Sequence, residues 1–180
     1  MPAIPPHLGT TLFIYGTLKR GYTNYDRYLS HAVAREGAQC LGSATTTDAF
    51  HLVIHPERAG HGGTRAPAMM ELDPNNLGCG FRVAGEVFAV DDRALAGLDI
   101  LEGVHDGRYY KREVQATLED GSSVQAFAYF FQPNEELWVL PAYATYDDEM
   151  HSLYKPHPIE ALNPAILANM LPPEQVAPEG

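Results

Sequence analysis

Leu12-Phe13-Ile14-Tyr15-Gly16-Thr17-Leu18-Lys19-Arg20-Gly21 is an apolar, β-leaning run that stops at a glycine and turns polar. A strand ending in such a turn leaves several backbone N–H groups unpaired and aimed one way, which makes a nest for an anion. The segment predicts a strand over 11–15, an anion-holding loop after it, and a short helix over 25–32 with Asn24 as its N-cap.

Further strands are predicted over 39–45, 50–54, 67–72 and 82–90, with a long Gly- and His-rich surface loop from His55 to Arg65. The 82–90 run alternates, with Val83, Gly85, Val87 and Ala89 on one side and Ala84, Glu86, Phe88 and Val90 on the other. Asp91 or Asp92 caps a helix over 93–102, and Gly103 fits the left-handed position that ends it. Residues 109–118 and 123–131 form a hairpin around Glu119-Asp120-Gly121-Ser122. From Gln132 the chain is rich in Pro and Tyr and is expected to wrap the domain in short helical turns. Many strands and few short helices give an α+β fold whose sheet can curl into a barrel.

A chain of 180 residues suits one domain, 1–180, with its core over 11–158 and flexible ends at 1–9 and 172–180. The net charge of −11 argues against nucleic acid or an anionic membrane as the main partner, because phosphate binding needs clustered Lys and Arg. The proline-interrupted N-terminus does not read as a signal peptide, and no run approaches the roughly 18 apolar residues of a membrane span. Cys40 and Cys79 lack metal spacing and read as reduced thiols of a cytoplasmic protein.

Three kinds of chemistry are disfavoured. Gly16 to Thr23 nearly matches a phosphate-binding P-loop, but Tyr22 stands where a lysine must follow the second glycine, so NTP hydrolysis is not expected. His51, His55 and His61 are close in sequence, yet no acidic partner sits at a ligand interval, so no metal or other cofactor is expected. No Gly-x-Ser-x-Gly elbow or cysteine signature points to a covalent acyl-enzyme.

Glu102 is the candidate with a physical reason. Leu95, Leu98 and Glu102 share one helix face, which sets the carboxylate at the edge of the core. It also lies in the last helical turn, where the macrodipole disfavours negative charge. Burial and dipole both raise a carboxyl pKa, as a general base working near neutral pH requires. The alternative is a half-buried Glu102 paired with Arg108, Lys111 or Arg112. Asp99, one turn earlier, is expected to bond a backbone amide in a supporting role. On the next strand Tyr110 and Arg112 share one face and Tyr109 and Lys111 the other. Tyr110 is the expected hydrogen-bond donor to substrate, against the alternative of cross-strand packing.

These residues together resemble the gamma-glutamylcyclotransferase-like superfamily, and within it the AIG2-like gamma-glutamylamine cyclotransferases. The likeness runs through Leu12 to Gly21 with Asn24, Gly85 to Asp92, Leu98-Asp99-x-Leu101-Glu102-Gly103 and Tyr110-Lys111-Arg112. It echoes faintly at Leu140-Pro141 and Tyr146-Asp147. The resemblance implies a mixed β-barrel flanked by short helices. It implies that Tyr15, Gly16, Thr17 and Leu18 hold the α-carboxylate of a gamma-glutamyl group, with Glu102 as the catalytic acid/base and the substrate's own α-amine as nucleophile. The products would be 5-oxoproline and a free amine, such as lysine from gamma-glutamyl-ε-lysine. Two departures bear on the leaving group: a longer stretch from Pro56 to Gly80, and Tyr154-Lys155-Pro156-His157 in place of an arginine-containing motif. Gamma-glutamyl amino acids or glutathione are the alternative substrates. A non-catalytic binding module, or a docking protein using 132–158, are the readings from other classes.

Overall fold

Strand β1 (Thr10–Ile14) lies between two partners, antiparallel to β4 (Phe81–Val90) and parallel to β6 (Ser123–Phe131). The computed structural model describes residues 3–56, 65–76, 78, 80–155 and 163–173. His61, Cys79 and residues 1–2 and 174–180 of the ends expected to be flexible lie outside these. At the N-terminal end, Leu8 is buried and its N–H donates to the Pro5 carbonyl.

β2 (Ala38–Ile54) pairs with β4 on one side and with β5 (Tyr109–Leu118) on the other. The ring β2–β4–β1–β6–β5–β2 therefore closes into a mixed five-stranded barrel, as the sequence led one to expect. β3 (Pro67–Met70) lies outside the ring, paired with the end of β2. The two strands predicted over 39–45 and 50–54 are one strand. Its ladder shifts register between Cys40 and Gly42 and between Thr45 and Ala49. Bulges of this kind bend a strand enough to serve successive neighbours around a barrel, so the polar Thr45–Asp48 stretch is a corner and not a break.

The alternation along β4 separates two apolar layers. Val83, Val87 and Ala89 point into the barrel with Phe13, Phe50 and Phe130. Phe88 and Val90 point outward and join Leu12, Ile14, Leu29 and Leu98. The outer layer is roofed by α2 (Asp92–Glu102), on which Ala94 and Leu98 are wholly buried. Asp91 caps α2 by accepting the Ala94 N–H at 2.8 Å, and Gly103 ends it at φ 64°, both as predicted.

The helix expected over 25–32 is a π turn (Tyr25–Leu29) running into α1 (Ser30–Ala34). Asn24 does not cap it. Its side chain donates instead to Thr17 Oγ1 (2.8 Å) and Tyr154 Oη (3.3 Å).

Beyond the hairpin come α3 (Glu135–Trp138), α4 (Asp148–Ser152) and α5 (Pro164–Met170). α5 is pinned across α2. Arg35 donates to the carbonyls of Asn169 and Met170 and grips Asp91 with both nitrogens, while Arg93 donates to Ala168 and Leu171. Among the described residues no helix is long and apolar enough to cross a membrane.

Candidate active site

The end of β1 and the end of α2 meet in one small pocket. Its walls are Phe13 to Leu18, Pro67, Tyr129 and Glu102. Four of the predicted site residues besides Glu102, namely Tyr15, Gly16, Thr17 and Leu18, are thus brought together with it. β1 delivers the loop because its Ile14 is the last residue paired to β4, after which the backbone turns away from the sheet. Leu98 anchors α2 one turn before Glu102, so the carboxyl arrives at the edge of the packed face.

The loop is a set of donors without acceptors. The Gly16 carbonyl takes the Lys19 N–H, and the Thr17 carbonyl takes the N–H groups of Asn24 and Tyr25. The amides of Gly16, Thr17 and Leu18 donate to nothing among the described residues. Successive N–H groups without acceptors in a pocket wall suit a carboxylate. Gly16 is required by space: a Cβ there would lie 2.6 Å from Pro67 Cγ.

All three cations that might have paired with Glu102 are engaged elsewhere. Arg108 donates to the main-chain carbonyls of Leu101 and Glu102, capping α2 and leaving the carboxylate alone. Lys111 pairs with Asp99 at 2.6 Å, and Arg112 with Glu71 at 2.5 Å. The tyrosines within electrostatic reach of Glu102 are Tyr15, Tyr109, Tyr129 and Tyr154. Three of them donate their hydroxyl protons elsewhere. Tyr15 donates to the Tyr129 carbonyl (2.7 Å), Tyr109 to the Pro67 carbonyl (3.4 Å) and Tyr129 to Asp99 (2.7 Å), while Tyr154 accepts from Asn24.

Among the described residues, then, the Glu102 carboxyl has no hydrogen-bond or ion-pair partner. It keeps some surface at the pocket, yet protein surrounds it closely enough that desolvation pushes its pKa up to about 7, with Arg108 opposing weakly.

Asp99 departs from expectation. Its partners are the Lys111 ammonium and the Tyr129 hydroxyl, not a backbone amide. Tyr110 is not brought to the pocket. Its ring tilts against Phe130 on the barrel interior and its hydroxyl reaches Glu71 at 3.5 Å, because the strand's alternation turns it away from α2. Tyr109 and Lys111 are the pair that face the helix. Which of the two faces meets α2 is settled by the contact of Lys111 with Asp99, which the strand's period alone does not give. Pro67 and Tyr129 were missed, and nothing local in their segments marks them. Cys40 is a free thiol whose pKa burial raises.

A broader groove of about 570 Å³ begins where the loop continues, walled by Lys19, Arg20, Arg82, Glu86, Glu119 and Asp148. The Glu102 pocket is about 40 Å³, room for a water or two. Size favours the groove as a site, and chemistry favours the pocket. The groove's charges are in part already spent, Arg20 on Glu86 at 2.8 Å and Lys19 and Arg82 on the carbonyls of Tyr146 and Thr46, whereas the pocket sets a carboxyl titrating near neutrality beside amides with no partner among the described residues.

Residues 12–148 match the family model "Gamma-glutamyl cyclotransferase, AIG2-like". The chain belongs to this family. A rat relative, gamma-glutamylaminecyclotransferase of Rattus norvegicus, is 33% identical over 148 residues, covering 77% of this chain and 89% of that protein. An Arabidopsis thaliana relative is 36% identical over 111 residues, which are 61% of this chain, and the chain spans about half of it, 52%. The crystal structure of an AIG2-like protein from Mus musculus superimposes with a TM-score of 0.65 at 33% identity, over 82% of this chain and 96% of that one. The fold described above is thus that of this AIG2-like structure.

Proposed function

We propose that the chain is a gamma-glutamylamine cyclotransferase, releasing 5-oxoproline and a free amine. The observation that carries this reading is the Glu102 carboxyl, with a pKa of about 7, in one pocket with the amides of Gly16 to Leu18, none of them partnered among the described residues. The name of the rat relative supports the choice of an amine as leaving group.

The loop amides and Glu102 divide the work. The substrate's α-carboxylate sits on the N–H groups of Gly16, Thr17 and Leu18, which fixes the α-amine against the γ-carbonyl in a near-attack geometry. Glu102 as carboxylate takes a proton from the α-ammonium. The freed amine attacks the γ-carbon and the carbonyl electrons move to oxygen. Glu102 then returns the proton to the departing nitrogen as the C–N bond breaks and the carbonyl re-forms, and the attacking nitrogen sheds its second proton through the same carboxylate to the released amine, which departs as an ammonium ion. The lactam closes, and one residue has served as base and then acid.

The test is 5-oxoproline release from gamma-glutamyl-ε-lysine, with Glu102→Gln beside it and glutathione as a second substrate. The variant is expected to fold and to lose about 10²–10⁴-fold in kcat/KM. Because the base must be ionised, wild-type kcat/KM rises with pH and levels off above about 7. Full activity in a folded Glu102→Gln would remove Glu102 from the mechanism. Faster turnover of glutathione than of gamma-glutamyl-ε-lysine would move the substrate to the alternative class.

A further inference from the structure

The loop that offers the three amides is held from behind by a segment more than 120 residues away in sequence. His151, on α4, lies stacked on Tyr22 at 4.3 Å between ring centres and 17° between planes, with Tyr154 stacked at 5.5 Å and 21°. The Thr23 N–H donates to its Nε2 at 3.2 Å, and the Thr23 hydroxyl approaches the same nitrogen at 3.1 Å. A backbone N–H can only donate, so Nε2 carries a lone pair and the ring proton is on Nδ1, where it is given to Tyr146 Oη at 3.0 Å.

The same segment grips the loop twice more. The Tyr146 carbonyl accepts the Lys19 ammonium at 2.5 Å, and Tyr154 Oη accepts from Asn24, whose amide also holds Thr17 Oγ1. Thr23 opens the helical stretch that runs into the π turn, and an N–H at that place has no partner within the helix. His151 supplies the cap that Asn24 does not.

We propose that neutral His151 is a positioning residue for the reaction: by accepting the Thr23 N–H it fixes the Thr17–Asn24 loop, and with it the Gly16–Leu18 amides, in the shape that receives the substrate carboxylate. The inference rests on the reading of those amides as the carboxylate site.

Protonation of Nε2 would turn the acceptor into a donor and set it against the Thr23 N–H. Four influences face the ring: burial and Lys19 hold it neutral, Asp148 and Asp26 favour the cation, and the balance lowers its pKa from the ordinary histidine value. The clasp is therefore made at neutral pH and released only in acid, below the pH at which an ordinary histidine gains its proton.

The experiment compares wild type, His151→Phe and His151→Gln on gamma-glutamyl-ε-lysine. Phenylalanine keeps the stack on the tyrosines and removes the acceptor; glutamine places an oxygen near Nε2 that does not titrate. The expected result is a KM about tenfold higher in His151→Phe, with kcat within about twofold, and a KM near wild type in His151→Gln. In a plot of log kcat/KM against pH, the wild-type fall below pH 7 steepens as His151 titrates, whereas His151→Gln keeps a slope of one. A wild-type KM in His151→Phe, an equal rise in KM for both variants, or the same steepening in His151→Gln would overturn the proposal.

If wild type releases no 5-oxoproline, the substrate reading fails by itself, and the clasp is judged by amide hydrogen exchange. Faster exchange at Thr23 in His151→Phe but not in His151→Gln then supports it, and equal protection in all three proteins overturns it.

Discussion

Asp99 and Glu102 stand three residues apart on one helix and meet opposite surroundings. On the Asp99 side two barrel strands present groups of the right kind: Lys111 from β5 closes to 2.6 Å and Tyr129 from β6 to 2.7 Å. On the Glu102 side the neighbours are as polar, but the protons they donate go to other partners. Arg108 holds carbonyls, and the phenols of Tyr15, Tyr109 and Tyr129 hold main chain or Asp99. A carboxyl is structural when its neighbours' hydrogen bonds end on it, and chemically available when they end elsewhere. Asp99 also benefits Glu102, because it occupies the lysine that could neutralise it.

The sharpest way to strain this contrast is to remove the charge at Glu102 and read stability. A carboxyl with a folded pKa near 7 and an ordinary unfolded value takes up a proton on folding between those values. Its burial then costs stability progressively as pH rises from about 4.5 to 7, and the full cost is present above 7. Glu102→Gln should therefore be more stable than wild type at pH 8 by on the order of 3 kcal/mol, and no more stable at pH 4, in urea titrations. Equal stability at both pH values would mean that Glu102 is well solvated or paired.

Asp99→Ala tests the other side. It strands the Tyr129 hydroxyl and the Lys111 ammonium together, and a loss of about 2 kcal/mol is expected by the same titrations. If the released Lys111 turns to Glu102, the rise of kcat/KM moves below pH 7, and the comparison is broken in an informative way: pairing, not burial alone, would then set the Glu102 pKa.

The smallest effect is expected at the opposite wall. In Gly16→Ala the new methyl meets Pro67 at 2.6 Å, and a cost of about 1 kcal/mol with a raised KM should follow as the ring is pushed aside. An unchanged KM would show that the pocket does not tighten at that point.

Much of this contrast was legible in the residues because its parts are local. The i, i+3, i+7 spacing of Leu95, Leu98 and Glu102 set the carboxyl at the core's edge. Asp91 and Gly103 bounded its helix, and the run from Leu12 to Gly16 announced a strand ending in free amides. The two-residue period separated Tyr109 from Tyr110 but did not say which face meets α2, so Tyr110 was expected where Tyr109 stands. Asn24 had the chemistry of a cap, and a better use for its amide lay across the loop at Thr17 and Tyr154. The bulges in β2 read as a break because a corner and a turn use the same polar residues.

The sequence by itself determined most of the elements, the glycine turn after β1, the capped helix and the family, since each is carried by short motifs whose residues lie near one another along the chain. Tertiary structure alone decided that β2 closes on β5, that Pro67 and Tyr129 wall the pocket, that His151 caps a helix 128 residues before it, and that Arg108, Lys111 and Arg112 each bond a partner other than the Glu102 carboxyl. Those outcomes depend on which groups compete for the same partner in space. A hydrogen bond has one winner, and the losers, here the amides of the loop and the carboxyl of Glu102, are visible only once every distant competitor has been placed.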